Sequence, residues 1–209
     1  MLTAAGERRK RSLDLVAVVI GVTVLLPVLV LIAVLVWLDS PGGVFYRGIR
    51  SGKKGQAFRI FKFRTMVLDA DRVGGGSTAK DDPRITRIGR VLRKYKLDEL
   101  PQLFNVLRGE MSVIGPRPEL PEYTRLYEGD ESIILSVRPG ITDHASLEFF
   151  QLSEVLGHVD ADRAYEEQVR PAKNALRVKY VKEQSMAGDL HILLRTFRRM
   201  FSPHSYARR

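Results

Sequence analysis

The chain has no cysteine, so disulfide bonds and thiolate metal sites are excluded. Its four histidines also lack the spacing of zinc ligands. The sequence contains no G-x-S-x-G, G-x-x-x-x-G-K-S/T or G-x-G-x-x-G pattern, which removes the serine-hydrolase elbow, the Walker-type phosphate loop and the Rossmann fingerprint. The absence of cysteine fits a reducing compartment. Acidic and basic side chains remain as candidates for chemistry.

Acidic residues are scarce at the start of the chain. From Met1 to Arg64 there are eleven Lys or Arg and three Asp or Glu, so this part carries +8 of the net charge of +10. Such a surplus suits nucleic acid or anionic lipid. Because the basic residues bracket a long apolar segment, lipid is the better match and no nucleic-acid partner is expected.

The apolar segment runs from Leu15 to Leu38 without a charge. As a helix it would be about 36 Å long, against a hydrocarbon thickness of about 30 Å. It is too long and uniform for an ordinary core helix, and no small-x-small cleavage site follows it. The sequence therefore predicts a membrane segment over residues 1–40 and one further domain over residues 41–209.

Two features bear on how this segment lies in the membrane. Lys10 and Arg11 belong to a basic run before it, and Arg47 to Lys54 form another after it, so both flanks are typical of the cytoplasmic side. Pro27 removes a helical hydrogen bond and opposes the carbonyl of Thr23. Together these features favour a re-entrant helix that breaks and returns to the same face, and a spanning helix is the alternative.

The remaining pattern predicts an α+β domain that is rich in helix and carries one small β-hairpin. Val44–Tyr46 and Phe58–Phe63 look like strands on either side of a glycine-bearing turn. Ile85 to Tyr95 has helical spacing with a basic flank, and a second apolar set begins at Leu103. The apolar stripe from Leu190 to Phe201 predicts an amphipathic helix, either in the membrane interface or packed on the core.

A glycine-rich stretch, Gly74 to Ser77, predicts a loop that is either a plain connector or a lid over a site.

Two short stretches carry the candidate chemistry. Asp98 and Glu99 are adjacent and precede Leu100-Pro101, so Asp98 should lie near a helix start. It could cap that helix, or it could hold a divalent cation or attack phosphorus. Arg117 stands between two prolines on a stiff backbone, which suits bidentate phosphate binding as well as an exposed turn.

These stretches belong to a longer series that resembles the bacterial sugar transferases, specifically the small monotopic polyprenyl-phosphate phosphoglycosyl transferases. The resemblance covers about Lys10 to Met200. It rests on the following, in order: Lys10-Arg11-x-x-Asp14, the apolar segment with Pro27, Phe61-Lys62-Phe63-Arg64-Thr65-Met66, Arg93, Leu97-Asp98-Glu99-Leu100-Pro101-Gln102-Leu103-Phe104-Asn105-Val106, Gly115-Pro116-Arg117-Pro118 and Arg138-Pro139-Gly140-Ile141-Thr142.

The resemblance implies an enzyme on the cytoplasmic face of the bacterial inner membrane. Such enzymes use Mg²⁺ to move a sugar 1-phosphate from a UDP-sugar donor to a polyprenyl phosphate acceptor, releasing UMP in the first membrane step of glycoconjugate synthesis. By similarity, Asp98 would be the nucleophile and Glu99 its partner at the metal. Phosphate would be bound by a set of basic residues, namely Arg117, Arg93, Lys62 and Arg64. The resemblance also implies that the helix broken at Pro27 is re-entrant.

The sequence departs from the family pattern at two places. Leu26 stands where members often have Ser before the proline, which removes a local hydroxyl from the predicted break. Asp143-His144-Ala145-Ser146 replaces the usual continuation after Pro-Gly-Ile-Thr. That region is expected to shape the donor pocket, so the resemblance does not extend to the identity of the sugar. The sequence leaves open whether the protein forms a homo-oligomer.

A membrane-tethered adaptor for acidic partners is the competing class of function. It would account for the basic surplus but not for adjacent carboxylates among arginines, because an adaptor has no use for them. Asp98 and Glu99 therefore favour the enzyme.

Overall fold

The computed structural model describes residues 2–70, 82–149, 163 and 165–201, so the predicted loop at Gly74–Ser77 lies outside the described residues. The helices are α1 (Ala4–Asp39), α2 (Arg87–Lys94), α3 (Gln102–Leu107), α4 (Pro121–Thr124), α5 (His144–Glu148), α6 (Arg170–Glu183) and α7 (Met186–Phe201). The strands are β1 (Phe45–Tyr46), β2 (Ile49–Ser51), β3 (Ala57–Arg59), β4 (Lys62–Phe63), β5 (Ser112–Ile114) and β6 (Gly140–Thr142). Short 3-10 turns occupy Lys53–Gly55, Leu97–Glu99 and Gly129–Ser136, and a π turn occupies Tyr165–Val169.

The predicted hairpin is present but consists of two nested ladders. β2 pairs antiparallel with β3, and outside them β1 pairs antiparallel with β4. Lys54 and Gly55 have left-handed backbone, with φ of 58° and 74°, and close the turn between β2 and β3. A third ladder was not predicted: β5 and β6 are parallel, with Ser112 opposite Gly140.

The helical spacing between Ile85 and Tyr95 corresponds to α2. Thr86 caps this helix, because its Oγ1 accepts a hydrogen bond of 3.0 Å from the backbone N–H of Gly89. α2 buries Leu92 and exposes Arg87 and Arg90. The fold is helix-rich with small sheets, as the sequence predicts.

The long apolar helix α1 packs along the rest of the protein through one stripe. The buried stripe consists of Lys10, Asp14, Val18, Leu29, Ile32 and Val36, with Val22 and Leu25 half-buried between them. These positions are three or four residues apart and therefore share one helix face. Most of the other apolar side chains of α1 are exposed; Val24, for example, is 69% exposed. By length and composition α1 is able to cross a membrane.

The start of α1 is fixed by charged groups turned toward the protein. Lys10 donates to Asp189 of α7 at 2.5 Å, and both residues are buried. Arg11 donates to the carbonyls of Val106 and Leu107 at the end of α3. Lys10 and Arg11, which the sequence assigned to the membrane, both contact the protein, and their role at the membrane stays a prediction.

The end of α1 is fixed in the same way. Arg64 donates to the carbonyls of Ser40 and Pro41 at 2.6 and 2.7 Å, so its guanidinium binds the orphan carbonyls just past the helix. Asp39 accepts from the backbone N–H of Ile88 in α2 at 3.0 Å. Both ends of α1 therefore contact the same domain.

The predicted break at Pro27 is not confirmed. α1 is helical on both sides of Pro27 from Ala4 to Asp39. Proline removes one hydrogen bond and crowds one carbonyl, and a helix supported along its length tolerates that loss.

The C-terminal helix α7 both packs on the core and keeps an apolar face outside. Ile192 is fully buried in a cluster with Ile114, Tyr180 and Val181. Leu190, Leu194 and Phe197 are each more than half exposed. One face of α7 thus packs on the core and another remains exposed. A role for the exposed face in the membrane interface stays a prediction.

Replacing Lys10 by Met should destabilise the fold, because Asp189 would keep a buried charge without its cation. Breaking a buried ion pair costs about 3–5 kcal/mol. Chemical unfolding of the detergent-solubilised variant measures the loss. Arg9→Met, one residue away and exposed, is the matched control and should change stability by less than about 0.5 kcal/mol. Equal losses of stability in the two variants would contradict a structural role for the buried Lys10–Asp189 pair.

Candidate active site

Asp98 and Glu99 lie in the 3-10 turn that leads into α3, near a helix start as the sequence predicts. Lys96 precedes the turn with left-handed backbone, at φ of 57°. Such a conformation is uncommon outside glycine and turns the chain sharply into the helix. Asp98 and Glu99 are both buried, with 7% and 9% exposure. Buried carboxylates are costly unless paired, so their partners define the site.

Glu99 is held by two cations from different parts of the chain. Arg117 forms a two-pronged pair with it: Nη1 donates to Oε2 at 2.7 Å and Nη2 donates to Oε1. Lys62 of β4 donates to the same Oε1 at 3.2 Å. Burial opposes the charge of Glu99, but Arg117 and Lys62 outweigh it and hold the pKa of Glu99 well below its ordinary value. Glu99 is therefore a fixed anion.

The pKa values of Arg117 and Lys62 shift in opposite directions. Burial disfavours the charge of Arg117, but Glu99 overcomes it and raises the pKa of Arg117. Burial lowers the pKa of Lys62, because the attraction of Glu99 only partly offsets it and Arg117 and Arg50 add repulsion. The bidentate fork of Arg117, expected to bind phosphate, is engaged by Glu99 in this structure.

Asp98 is placed differently from its neighbour. Its Oδ1 is buried and has no hydrogen-bond partner among the described residues. The cap positions of the turn and of α3 are Lys96 and Pro101, so Asp98 does not serve as the helix cap. Burial, and then the charge of Glu99, raise the pKa of Asp98 against the opposing effect of Lys62. The site thus contains a carboxylate oxygen free to accept a ligand.

Two further groups near this turn have unused hydrogen-bonding capacity. Arg93 lies in the last turn of α2, and its Nη1 is buried without a partner within the part of the chain described. The charge of Asp98 favours the charged form of Arg93, although burial lowers its pKa overall. Gln102 is fully buried, and neither atom of its amide has a partner there. The sequence interpretation missed Gln102, although its position one helical turn after Asp98 signalled a shared face.

The predicted site residues do not all gather at this turn. Asp98, Glu99, Lys62, Arg93 and Arg117 are linked by contacts or by electrostatic influence. Arg64 is committed to the end of α1 instead, and its role in substrate binding stays a prediction.

The backbone of Arg117 is positioned by the parallel pair β5–β6. Gly115 follows β5 and donates to the carbonyl of Thr142 at 3.1 Å, while Gly140 donates to the carbonyl of Pro116 at 2.9 Å. The two glycines approach so closely that a Cβ on Gly140 would lie 2.1 Å from the nitrogen of Gly115. Any side chain there would displace the segment that carries Arg117.

Asp143 is the second support for Arg117. One oxygen accepts from the backbone N–H of Arg117 at 3.0 Å, and the other caps α5 by accepting from Ser146 at 2.6 Å. The sequence interpretation connected this stretch with the donor pocket. In the structure Asp143 is buried and holds the arginine's backbone.

Behind Arg117 lies a buried ionic cluster that the sequence did not reveal. Arg177 of α6 donates to Glu119 at 2.7 Å and lies 3.7 Å from Asp143. Tyr165 donates to the same oxygen of Glu119 at 2.5 Å. Burial raises the pKa of Glu119, but Arg177 and Lys173 reverse that effect and lower it overall. Burial also lowers the pKa of Lys173 to about 8.

The family model for bacterial sugar transferases matches residues 5–203. A chain that matches over this length with such a site is a transferase of that class, and the protein belongs to the bacterial sugar transferase family.

Curated relatives agree with this assignment. The chain is 36% identical over 206 residues to the exopolysaccharide production protein ExoY of Sinorhizobium fredii, covering 91% of this chain and 84% of the relative. It is 36% identical over 203 residues to the UDP-glucose:undecaprenyl-phosphate glucose-1-phosphate transferase of Caulobacter vibrioides, covering 92% and 69%. It is also 38% identical to the undecaprenyl-phosphate glucose phosphotransferase of Komagataeibacter xylinus, covering 94% of this chain but 37% of that longer protein.

Replacing Arg177 by Met should be severely destabilising, because Glu119 and Asp143 would lose a cation in a buried site. The expected cost is about 3–5 kcal/mol, measured by chemical unfolding. Lys182→Met on the same helix is the control, since its pair with Asp130 is exposed and is worth less than about 1 kcal/mol. An Arg177→Met variant as stable as the control would contradict the proposed support of Arg117.

Proposed function

We propose that this protein is a phosphoglycosyl transferase that moves a sugar 1-phosphate from a UDP-sugar to a polyprenyl phosphate, such as undecaprenyl phosphate, and releases UMP. The observation that carries the proposal is the pair Asp98–Glu99. Two cations fix the carboxylate of Glu99, and one buried oxygen of Asp98 has no partner within the residues that the structure describes. Relatives named for transfer to undecaprenyl phosphate support the same reaction. These relatives are named as enzymes, which argues against a membrane-tethered adaptor as the function of this protein.

The charges of the substrates favour a covalent route through Asp98. Donor diphosphate and lipid phosphate are both anionic, so direct attack of one on the other is repulsive. A carboxylate nucleophile divides this displacement into two steps. A carboxylate oxygen of Asp98 attacks the phosphorus that bears the sugar, and the bond from that phosphorus to the oxygen of UMP breaks. An oxygen of the lipid phosphate then attacks the same phosphorus, and the bond to Asp98 breaks.

The neighbours of Asp98 suit this role. Burial strips water from its carboxylate and, with the charge of Glu99, raises its pKa, whereas Lys62, Lys96 and Arg93 oppose that rise and favour the ionised form that attacks. Glu99 keeps Arg117 and Lys62 beside the reacting centre, where they offset the negative charge of the phosphates. The Nη1 of Arg93, which has no partner among the described residues, is available to donate to a phosphate oxygen.

The donor set at this turn also fits Mg²⁺. The described residues contain no group of three or more acidic or histidine side chains that would hold a metal alone. Mg²⁺ commonly takes one or two carboxylates and completes its shell with substrate phosphates and water. Asp98, whose Oδ1 lacks a partner in the described part of the chain, would hold it, with Glu99 beside it. When bound, Mg²⁺ would neutralise part of the charge on the donor diphosphate.

We also propose that the protein acts at the cytoplasmic face of the inner membrane, with both ends of α1 on that face. Lys10 and Asp39, near opposite ends of α1, contact the same domain. A helix that crossed the bilayer would carry one end about 30 Å away from that domain. The exposed apolar sides of α1, and Leu190, Leu194 and Phe197 of α7, would contact lipid.

Asp98→Asn should abolish turnover while retaining the fold, because the amide cannot replace a carboxylate nucleophile. Loss of a nucleophile costs on the order of 10⁶ in rate in a well-studied protease. The assay measures UMP released from a panel of UDP-sugars with Mg²⁺ and undecaprenyl phosphate, which also identifies the donor. Asp130→Asn, at an exposed carboxylate, should behave as wild type. An Asp98→Asn enzyme within tenfold of wild type would contradict the covalent route.

The topology is tested by labelling single cysteines, since the chain has none of its own. Positions Ala4 and Gln56 are exposed on either side of the apolar segment. An impermeant maleimide should label neither Ala4→Cys nor Gln56→Cys in intact cells, and both after permeabilisation. Labelling of one position alone in intact cells would show that α1 spans the membrane, and labelling of both would place both ends outside; either result contradicts the proposed topology.

A further inference from the structure

A basic cleft lies beside the candidate active site and has no role in the mechanism above. The β2–β3 hairpin forms one side of it, and the segment from Leu120 to Arg125 around α4 forms the other. Its volume is about 580 Å³, and it is broadly open to solvent.

Four arginines and one acidic residue line this cleft. The arginines are Arg47, Arg50, Arg59 and Arg125, and the acid is Glu122. Within the described part of the chain, none of the four guanidiniums forms an ion pair with a carboxylate. Arg50 and Arg59 donate to backbone carbonyls. Four like charges in one concave surface repel each other, so the cleft is suited to an anionic ligand.

The two walls of the cleft adjoin the segments that carry Lys62 and Arg117, the two cations around Glu99. Tyr46, which lines the cleft, pairs across the strands with Lys62. On the other side, Leu120 follows Arg117 by three residues. Ser51 joins the two walls, because its backbone N–H donates to the carbonyl of Glu119 at 2.9 Å and its hydroxyl hydrogen-bonds to Thr124 at 2.7 Å. The cleft is thus a built surface adjoining the site.

The site and the cleft differ in how much positive charge is still available. Arg117 and Lys62 are engaged by Glu99, whereas the cleft arginines have no acidic partner among the described residues. A donor diphosphate needs forked cationic donors for its oxygens, and arginine provides them in the geometry that suits phosphate. The side chains of Tyr46, Leu120 and Pro121 add the aromatic and apolar surface that a nucleoside needs.

We infer that this arginine-lined cleft binds the nucleoside diphosphate part of the donor and presents the sugar-bearing phosphate to Asp98. The inference rests on the proposed function, since it places that donor's nucleotide. A membrane surface would not need the aromatic and apolar side chains that line the cleft together with the arginines.

The probe for this site is UDP, which carries both phosphates and the nucleoside but no sugar to transfer. Arg59 and Arg125 are exposed and distant in sequence from Asp98, so the double variant Arg59→Gln/Arg125→Gln should fold normally. Calorimetric titration of the full-length protein in detergent with Mg²⁺ should show Kd for UDP raised at least tenfold, since hydrogen bonds to charged groups are lost. The KM for the donor should rise in parallel, with kcat changed much less.

The control removes the same amount of charge outside the cleft. Arg87→Gln/Arg90→Gln alters two exposed arginines of α2 and should leave Kd for UDP within twofold of wild type. Lysine at positions 59 and 125 keeps the charge but loses the fork, and should give a Kd between those of wild type and the glutamine variant. If the glutamine variant does not fold, the lysine variant decides the question.

Unchanged UDP affinity in the cleft variants would overturn the inference. So would a variant that keeps its UDP affinity but no longer sediments with phosphatidylglycerol vesicles, which would make the cleft a contact for anionic lipid. UDP binding does not require attack by Asp98. An active Asp98→Asn enzyme would therefore contradict the proposed mechanism while leaving the cleft result standing.

Discussion

The arrangement of the site depends on one buried ionic interaction, in which Glu99 is held between Arg117 and Lys62. These residues come from the turn before α3, from the segment after β5 and from β4, so the interaction joins three separate parts of the chain. Burying a carboxylate next to a second carboxylate is unfavourable. The two cations allow Glu99 to remain charged. Burial, and then the charge of Glu99, raise the pKa of Asp98.

This interaction requires Arg117 to be held accurately, and a large part of the domain serves that purpose. The close approach of Gly115 and Gly140 sets the backbone before the arginine, and Asp143 accepts from its N–H. Arg177 lies against both Asp143 and Glu119. A buried ion left without its partner costs several kcal/mol. The cluster behind Arg117 is therefore cooperative, because loss of one residue leaves the buried charge of its partners uncompensated.

Local features of this fold were predictable from sequence, because they depend on spacing within one segment. The helical period around Leu92, the hairpin near Phe58 and the helix start at Asp98 are of this kind. The assignment to the family is also confirmed. Membership of Asp98 and Glu99 in the catalytic centre stays a prediction, now with a geometry that supports it.

Features that depend on distant parts of the chain were not predictable. The sequence placed Lys10 in a basic run beside the membrane segment but did not reveal its buried partner Asp189, which is 179 residues away. Arg64 was grouped with phosphate-binding residues, but it binds the end of α1. The fork of Arg117 was matched to phosphate and is engaged by Glu99. Charge and spacing indicate that a basic side chain needs an anion or a carbonyl; only the fold decides which one it meets.

The central claim is that Asp98 becomes covalently linked to the phosphosugar. It is tested most directly by incubating the enzyme with its UDP-sugar and Mg²⁺ but no lipid acceptor, then quenching and digesting with trypsin. The peptide from Leu97 to Arg108 contains both Asp98 and Glu99, and fragmentation assigns any added mass to one of them. The account predicts a sugar phosphate on Asp98, together with a burst of UMP equal to the amount of enzyme. An unmodified peptide without a burst, or a modification on Glu99, would contradict it.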